Sequence, residues 1–422
     1  MLDIKFIREN RELVALGAKK KHIDFDVEVL LAVDDRRRIL TSEIEKKRAE
    51  QNSVSEQIVK TEDNNLKTSL IADMKVLKET LQKEEDDLKE VMVEWQKMMV
   101  RVPNIPDMSV PEGDDDKGNQ EVKKWGEIPT FDFTPKNHIE LMQDLGMVDL
   151  ERGAKVAGFR GYFLTGDGAR LQMALWQFVN DFFQKKNFRA MIVPSLVRRE
   201  PFMGTGYLPQ GEEDLYKTQD GEYLSGTAEV ATMGYYMDEV LDKKDLPTKI
   251  IAFSPAFRRE AGAHGKDTKG ILRVHEFYKF EQVVLCEASH ETSVKFHEEL
   301  TANAEEIMQA LGLPYHVVVN CGGDLGLGQV KKYDIEAWLP SENTYRETHS
   351  SSYFHDFQTR RLNIRYRDEN GKMQFAHSLN NTALSGRPLI MIVENYQNAD
   401  GSVRIPEVLQ PYMGGQQVIS QK

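Results

Sequence analysis

Residues 253–285, FSPAFRREAGAHGKDTKGILRVHEFYKFEQVVL, read as a strand, a polar glycine-rich loop and a second strand. The first strand runs into Phe257, Arg258, Arg259 and Glu260, and the second alternates from Arg273 to Leu285. Successive side chains of a strand point to opposite faces. His275, Phe277, Lys279, Glu281 and Val283 therefore share one face, and Val274, Glu276, Tyr278, Phe280 and Val284 the other. By the same rule Arg258 and Glu260 are expected to point the same way. One sheet surface thus gathers an arginine, carboxylates, a histidine and an aromatic ring. A guanidinium fork can donate two parallel hydrogen bonds to phosphate oxygens, Phe277 offers a stacking surface for a flat base, and Glu281 can accept from an ammonium or a hydroxyl. A solvated hairpin with cross-strand ion pairs has the same alternation. The rest of the chain has to separate the two readings.

A chain of 422 residues has room for two or three domains and a large core. Its net charge of -13 argues against binding nucleic acid through global charge, while leaving a local basic stripe open. Cys286 and Cys321 are the only cysteines, with no CxxC and no paired Cys/His spacing. Disulfides and a thiolate zinc site are therefore not expected, and a reducing compartment fits. The N-terminus, MLDIKFIRENRELV, lacks the apolar run of a signal peptide, and no stretch reaches the length of a membrane span. The expected location is the cytoplasm.

Residues 1–25 read as a short helix and a connection, with Ile4, Ile7, Leu13 and Val14 apolar. Then Leu30, Val33, Arg37, Leu40, Ile44, Lys47, Gln51, Val54 and Ile58 follow steps of three and four, and after a turn at 62–65 the pattern resumes from Met74 to Met98. Two heptad segments joined by a short turn predict an antiparallel helical hairpin. Arg36 and Arg37 stand whole turns before Lys47 and Arg48, a spacing that predicts a cationic stripe, although charge runs on such helices are also plain solvated faces. Residues 102–125, with prolines, Gly113, Gly118 and three consecutive aspartates, read as a linker between an arm (1–101) and a second domain (126–422). That domain mixes the apolar helix 171–183 with strands at 188–197 (carrying Pro194), 249–253, 274–285, 317–320, 333–339 and 362–366. Many strands without regular βαβ alternation predict an α+β domain on an antiparallel sheet.

Nucleotide signatures of other kinds are missing. The run 262–267, GAHGKD, lacks P-loop spacing and its Ser or Thr, and no GxGxxG follows a strand. Three further segments carry chemistry. Thr227-Ala228-Glu229 offers a hydroxyl, backbone groups and a carboxylate before a helix, where a plain cap would look the same. Glu347 and Ser350 place a carboxylate and a hydroxyl three residues apart, compatible with oxygen ligands for Mg²⁺. Arg387 opens the apolar helix 388–396, where its charge opposes the helix dipole, so an anionic ligand explains it better than stability does.

Taken in order, these segments resemble the seryl-tRNA synthetases, within the class II aminoacyl-tRNA synthetases. FRREAGAHGKDTKG with RVHEFYKFE is similar to the family's motif 2, the region of Pro194 to motif 1, and Arg387 to motif 3. GTGYLPQGEEDLY, GTAEV, CGGDLG, YDIEAWLP, YRETHSSS and DFQTRRLNIRYR fall in the family's order, so the likeness covers nearly the whole chain. It implies a serine–tRNA ligase (EC 6.1.1.11) with a coiled-coil arm. Such an enzyme activates L-serine with ATP to seryl-adenylate and passes serine to the 3′ end of tRNA(Ser), and also of tRNA(Sec).

The resemblance further implies roles residue by residue. Arg258 lies on the α-phosphate, Arg259 beside it, Glu260 near the adenine amino group, and Val274 and Phe277 along the adenine. Arg387 is at the γ-phosphate. Glu347, Thr348, His349 and Ser350 lie along ATP, with Glu347 and Ser350 on Mg²⁺. Thr227, Ala228, Glu229, Arg258, Glu281 and Thr382 surround serine. The catalytic residues are then Arg258, Glu281 and Arg387. The likeness also implies a homodimer and recognition of tRNA by the arm. The chain departs from the family pattern in ETHS for EISS, in the shorter NNTALSGR before Arg387, and in SYFHDFQ, which brings in His355. A silent RNA-binding paralogue and an activator that loads a carrier protein are the rival readings. Retention of Arg258, Glu281, Glu347 and Arg387 speaks against the first, and the arm against the second.

Overall fold

The computed structural model describes every residue except Ala263, His264, Lys266 and Lys422. The run 262–267 therefore falls partly outside the described residues. The chain divides into two units: one of residues 2–19 and 23–103, and one of residue 1, 20–22 and 104–422.

The first unit contains α1 (Ile4–Glu9), α2 (Arg11–Lys20), α3 (Val27–Lys60) and α4 (Asn64–Met99). The Asp26 side chain accepts from the amides of Glu28 and Val29, and Asp63 from those of Asn65 and Leu66, so each long helix starts on a carboxylate cap. Neither long helix contains Gly or Pro. At 34 residues α3 is about 51 Å long, at 1.5 Å per residue. Leu30, Val33 and Ile44 of α3 and Met74, Leu81 and Val91 of α4 are buried, as the heptads require.

The cationic stripe is a correction. Arg48 Nη2 lies 2.7 Å from Glu85 Oε1, Lys47 pairs with Glu84, Arg36 stands 3.7 Å from Glu94, and Arg37 bonds Asp34 and covers the Trp95 ring. Residues eleven apart do share a helix face, but here that face is turned to α4 and its acids. Arg37 and Lys47 are largely covered, while Arg36 and Arg48 stay 65% and 62% exposed but are paired with acids of α4.

The second unit is built on an eight-stranded sheet. Its strands are β1 (Gln120–Trp125), β2 (Arg189–Ile192), β3 (Thr248–Phe257), β4 (Glu276–Cys286), β5 (Tyr315–Val319), β6 (Lys331–Leu339), β7 (Thr344–His355) and β8 (His377–Leu384). Their order is β1-β5-β6-β7-β8-β4-β3-β2, and only β2 against β3 is parallel. This is the expected α+β antiparallel class. β2 is an edge strand ending just before Pro194, which has no N–H to continue a ladder. The helices α5 (Gly166–Lys185), α7 (His290–Ala310) and α8 (Arg387–Asn395) supply Leu171, Val179, Leu300, Ile307 and Ile390 to the larger apolar core, together with Val284 of β4. Val283 and Leu285 enter a smaller core with Ile250, Ala252 and Val230, the last from α6 (Ala228–Tyr235). The alternation along β4 therefore sorts its residues between two faces.

Three expectations differ from the structure. Residues 102–125 do not end as a linker, because Gln120–Trp125 pairs with β5 as the sheet's edge. Leu362 closes a short helix, Phe357–Leu362, and the strand after it is only Arg365–Arg367. β8 has no counterpart among the expected strands. Its polar run HSLNNTAL lies mid-sheet, where Asn381 Nδ2 donates to the Leu300 carbonyl at 2.6 Å and Ser378 to Gln358. These bonds offset much of the cost of burying the run, while the Asn381 side-chain oxygen is buried without a partner among the described residues.

Candidate active site

Three chain segments meet over β4. In register Phe277 faces Ala256, Glu281 faces Ala252 of β3, and Glu281 also faces Thr382 of β8. From Cys286 back to Glu281 the pairing with β8 is regular and sets Thr382 opposite Glu281; it then skips Ala383, so that Phe280 pairs with Leu384. Bulges of this kind re-aim side chains beside functional sites. Paired residues share a face, which puts the Thr382 hydroxyl beside the Glu281 carboxylate. Thr227, the N-cap of α6, donates its hydroxyl to Glu281 Oε2 at 3.3 Å. Lys279 Nζ lies 2.5 Å from that same oxygen.

A cleft of about 90 Å³ is lined by Arg258, Glu260, Val274, Phe277, Lys279, Glu347, Thr348, Thr382 and Arg387. The Arg258 guanidinium lies over the Phe277 ring at 5.4 Å, and its one hydrogen bond among the described residues is a long one, 3.4 Å to the Gly226 carbonyl. Gly226 leaves the space for it, since a Cβ there would come within 3.2 Å of Arg258 Cγ. The strand rule does not carry past Phe257, because β3 ends there and Glu260 adopts φ +55°. Glu260 reaches the cleft through that turn, anchored by Arg273 at 2.5 Å.

Glu347 and Ser350 stand three apart on β7, which strict alternation would put on opposite faces. A bulge resolves this: Ile335 pairs with His349 but Glu336 with Glu347, leaving Thr348 as the extra residue. Ser350 then faces Asp334, whose carboxylate holds Lys332 at 3.0 Å. Arg387 Nη1 donates to the Glu347 carbonyl at 2.6 Å and to its carboxylate at 3.2 Å. Desolvation pushes the Glu347 carboxyl up, but the charges of Arg387, Lys332 and Arg258 outweigh it and bring the pKa down to about 2. Burial raises Asp334 to about 6 despite Lys332, with Glu347 adding to the rise. A permanently ionised carboxylate and a hydroxyl, both hard oxygen donors, fit Mg²⁺, which commonly takes few protein ligands and completes its shell with water and phosphate. Among the described residues no group of three or more His, Cys, Asp or Glu side chains is placed to hold an ion.

Other expected residues sit differently. Ala228 and Glu229 are buried in the first turn of α6. Glu229 accepts from Tyr207 at 3.0 Å and from Gln358 at 2.7 Å, and burial together with the charge of Glu281 raises its carboxyl. The Arg259 side chain is exposed and lines no part of the cleft. The His349 ring points into the interior: it is 1% exposed, bonds the Thr348 hydroxyl at 2.8 Å, and burial lowers it to about 4. ATP contact by the His349 side chain is therefore a correction, caused by the bulge that turns position 349 inward. Tyr207 and Gln358 had no sequence signal, because they lie 22 and 129 residues from Glu229. Lys279 had one, its place on the face of Phe277 and Glu281, yet no role followed from it. Beside the cleft is an aromatic hollow of about 570 Å³, which shares Tyr162, Gln172 and Phe277 with it and adds Phe159, Phe163 and Trp176.

An antiparallel sheet backed by three helices, with one arginine after β3 and another opening the helix after β8, defines a class II aminoacyl-tRNA synthetase core. The family model for that core, of the G, H, P, S and T group, matches residues 216–396, and the model for the seryl-tRNA synthetase N-terminal domain matches 1–106. The chain is 45% identical over 423 residues to the serine–tRNA ligase of Deinococcus radiodurans, covering 100% of this chain and 99% of that one. It is 44% identical to that of Geobacter sulfurreducens, covering 99% and 100%. Its fold matches the seryl-tRNA synthetase of Pyrococcus horikoshii solved with ATP, at a TM-score of 0.93 and 38% identity over 100% of both chains. It also matches the cytoplasmic serine–tRNA ligase of Naegleria fowleri solved with AMP, at 0.89 and 33% over 100% and 99%. The chain belongs to the seryl-tRNA synthetase family.

Proposed function

We propose that this protein is a serine–tRNA ligase. The serine carboxylate attacks the α-phosphorus of ATP, the bond to pyrophosphate breaks, and seryl-adenylate forms. A hydroxyl of the terminal adenosine of tRNA then attacks the seryl carbonyl and AMP leaves. The observation that carries the reading is one continuous surface: Arg258 over Phe277, then Lys279 and Glu281, with Thr382 opposite. Activation asks for positioning and for neutralisation of charge developing on phosphate, with little covalent work by the protein.

The adenine stacks on Phe277 beside Val274, with Glu260 at its amino group. Arg258, whose guanidinium makes just one long carbonyl bond among the described residues, takes the α-phosphate. Arg387, which bonds Glu347 in the free site, takes the γ-phosphate, and Glu347 and Ser350 would hold Mg²⁺. The ion would supply charge neutralisation on the phosphates. Glu281, Thr227 and Thr382 receive the serine ammonium and hydroxyl. A site built to bond a hydroxyl rejects alanine, because its buried polar groups would be left unpaired.

The first unit is the proposed tRNA(Ser) element, with tRNA(Sec) as a further substrate. Its family match supports this, and its paired seam does not contribute. Exposed Phe159, Phe163 and Met173 around the aromatic hollow support a homodimer. Among the described residues no helix is long and apolar enough to cross a membrane, and a cytoplasmic site of action is part of the proposal. The silent-paralogue alternative is disfavoured by whole-chain likeness to named ligases. Serine-dependent exchange of pyrophosphate into ATP is the test. Absence of exchange with every amino acid would overturn the reading.

A further inference from the structure

Lys279 is a buried cation with no part in the proposed chemistry so far. Its side chain is 10% exposed, lines the cleft, and lies one alternation step from Phe277 on one side and Glu281 on the other. Both contacts to the Glu281 carboxylate, from Lys279 and from Thr227, fall on Oε2. Among the described residues nothing bonds Oε1. The carboxylate is therefore tethered by one oxygen while the other is left to a ligand. Its other charged and titratable neighbours are Glu229 on α6 and Tyr207, with His349 of β7 close to Lys279. Of these, Glu229 repels a second carboxylate. Lys279 is the cation that offsets that repulsion.

We propose that Lys279 is a positioning residue for serine selection. It fixes Glu281 by Oε2 against the repulsion of Glu229, so that Oε1 is aimed at the substrate hydroxyl and ammonium beside Thr382. The inference rests on the serine reading above. A free carboxylate could rotate and satisfy both oxygens internally, and discrimination against alanine would fall with it, because discrimination depends on a polar atom left without a partner when the hydroxyl is missing.

The experiment is pyrophosphate exchange with serine and with alanine, comparing the wild type, K279M, K279R, E281Q and the double variant K279M/E281Q. Exchange by the wild type with serine tests the underlying reading independently of the variants. The expected result for K279M is a serine KM raised about tenfold or more, an ATP KM within about twofold of wild type, and a serine-over-alanine preference cut about tenfold. K279R recovers most of the preference, and adding K279M to E281Q changes serine KM by less than about twofold, since neighbours acting through one group are not additive. An unchanged serine KM in K279M would overturn the proposal. So would an equal loss for serine and alanine, or a full additional penalty in the E281Q background. If K279M does not fold, K279R and the single E281Q comparison of serine with alanine still decide: a K279R protein with wild-type KM and lost selectivity contradicts the tether.

Discussion

The α3–α4 hairpin and the cleft over β4 both concentrate charge, and they treat it in opposite ways. On the hairpin every cation expected to be free meets an acid: Arg48 meets Glu85, Lys47 meets Glu84, and Arg36 stands near Glu94. In the cleft Arg258 has one long carbonyl bond and a ring, while Arg387 shares Glu347. The hairpin's charges satisfy each other and so hold two helices in register. In the cleft Glu260 meets Arg273 and Glu281 meets Lys279, but among the described residues the Arg258 guanidinium has no carboxylate within ion-pair distance, and that is what leaves it available to a ligand. Charge density therefore does not mark a site. Charge without an adequate internal partner does.

The sharpest way to break this contrast is R258A. Loss of a donor aimed at developing phosphate charge costs on the order of a thousandfold in pyrophosphate exchange. Melting should shift by less than about 0.5 kcal/mol of stability, the range of surface substitutions. Equal losses in both measurements would make Arg258 a structural cation like those of the arm.

Glu281 sharpens the point, because it is buried and paired. E281Q should reduce serine activation about a hundredfold or more while keeping the fold. E281A leaves Lys279 buried without its counter-ion, and should in addition cost about 3 kcal/mol in chemical denaturation. If E281A and E281Q are equally stable, the Lys279 pair contributes little.

His316 gives a smaller, pH-dependent effect. Its ring bonds Glu121 and Glu336, each at 2.7 Å, tying β1, β5 and β6. Burial works against its charge, but the two carboxylates outweigh that and raise its pKa. A group raised in the folded state contributes stability that is fully present below the unfolded histidine value of about 6.5 and is lost as pH rises through the folded one. The wild type should therefore exceed H316Q by about 1 kcal/mol near pH 6, with the gap closing toward higher pH. A gap that widens with pH would reverse the assignment. Smallest of all is the arm: a double-mutant cycle on Lys47 and Glu84 should return about 0.5 kcal/mol, with exchange activity unchanged. A large activity effect there would erase the contrast with the cleft.

Much of this was legible in the chain. Heptad steps from Leu30 to Met98 follow from helical geometry, so they located both long helices. Alternation on β4 located Phe277, Lys279 and Glu281 on one face, since the side-chain period of a strand is intrinsic to its backbone. β8 was not legible, because HSLNNTAL is polar and its burial is permitted only by partners such as the Leu300 carbonyl, supplied by a distant helix. The cationic stripe misled for a related reason: periodicity says which residues share a face, and not what that face meets.

The opening hairpin marks the same division. Backbone periodicity by itself determined which of its side chains lie together, because that rule is local. Tertiary structure alone decided three things: that the register of β4 with β8 sets Thr382 opposite Glu281, that a bulge in β7 turns Ser350 and Glu347 to one side and His349 inward, and that Lys279 holds one oxygen of Glu281. Each depends on pairing between segments far apart in the chain, where a slip of one residue reverses the face a side chain presents.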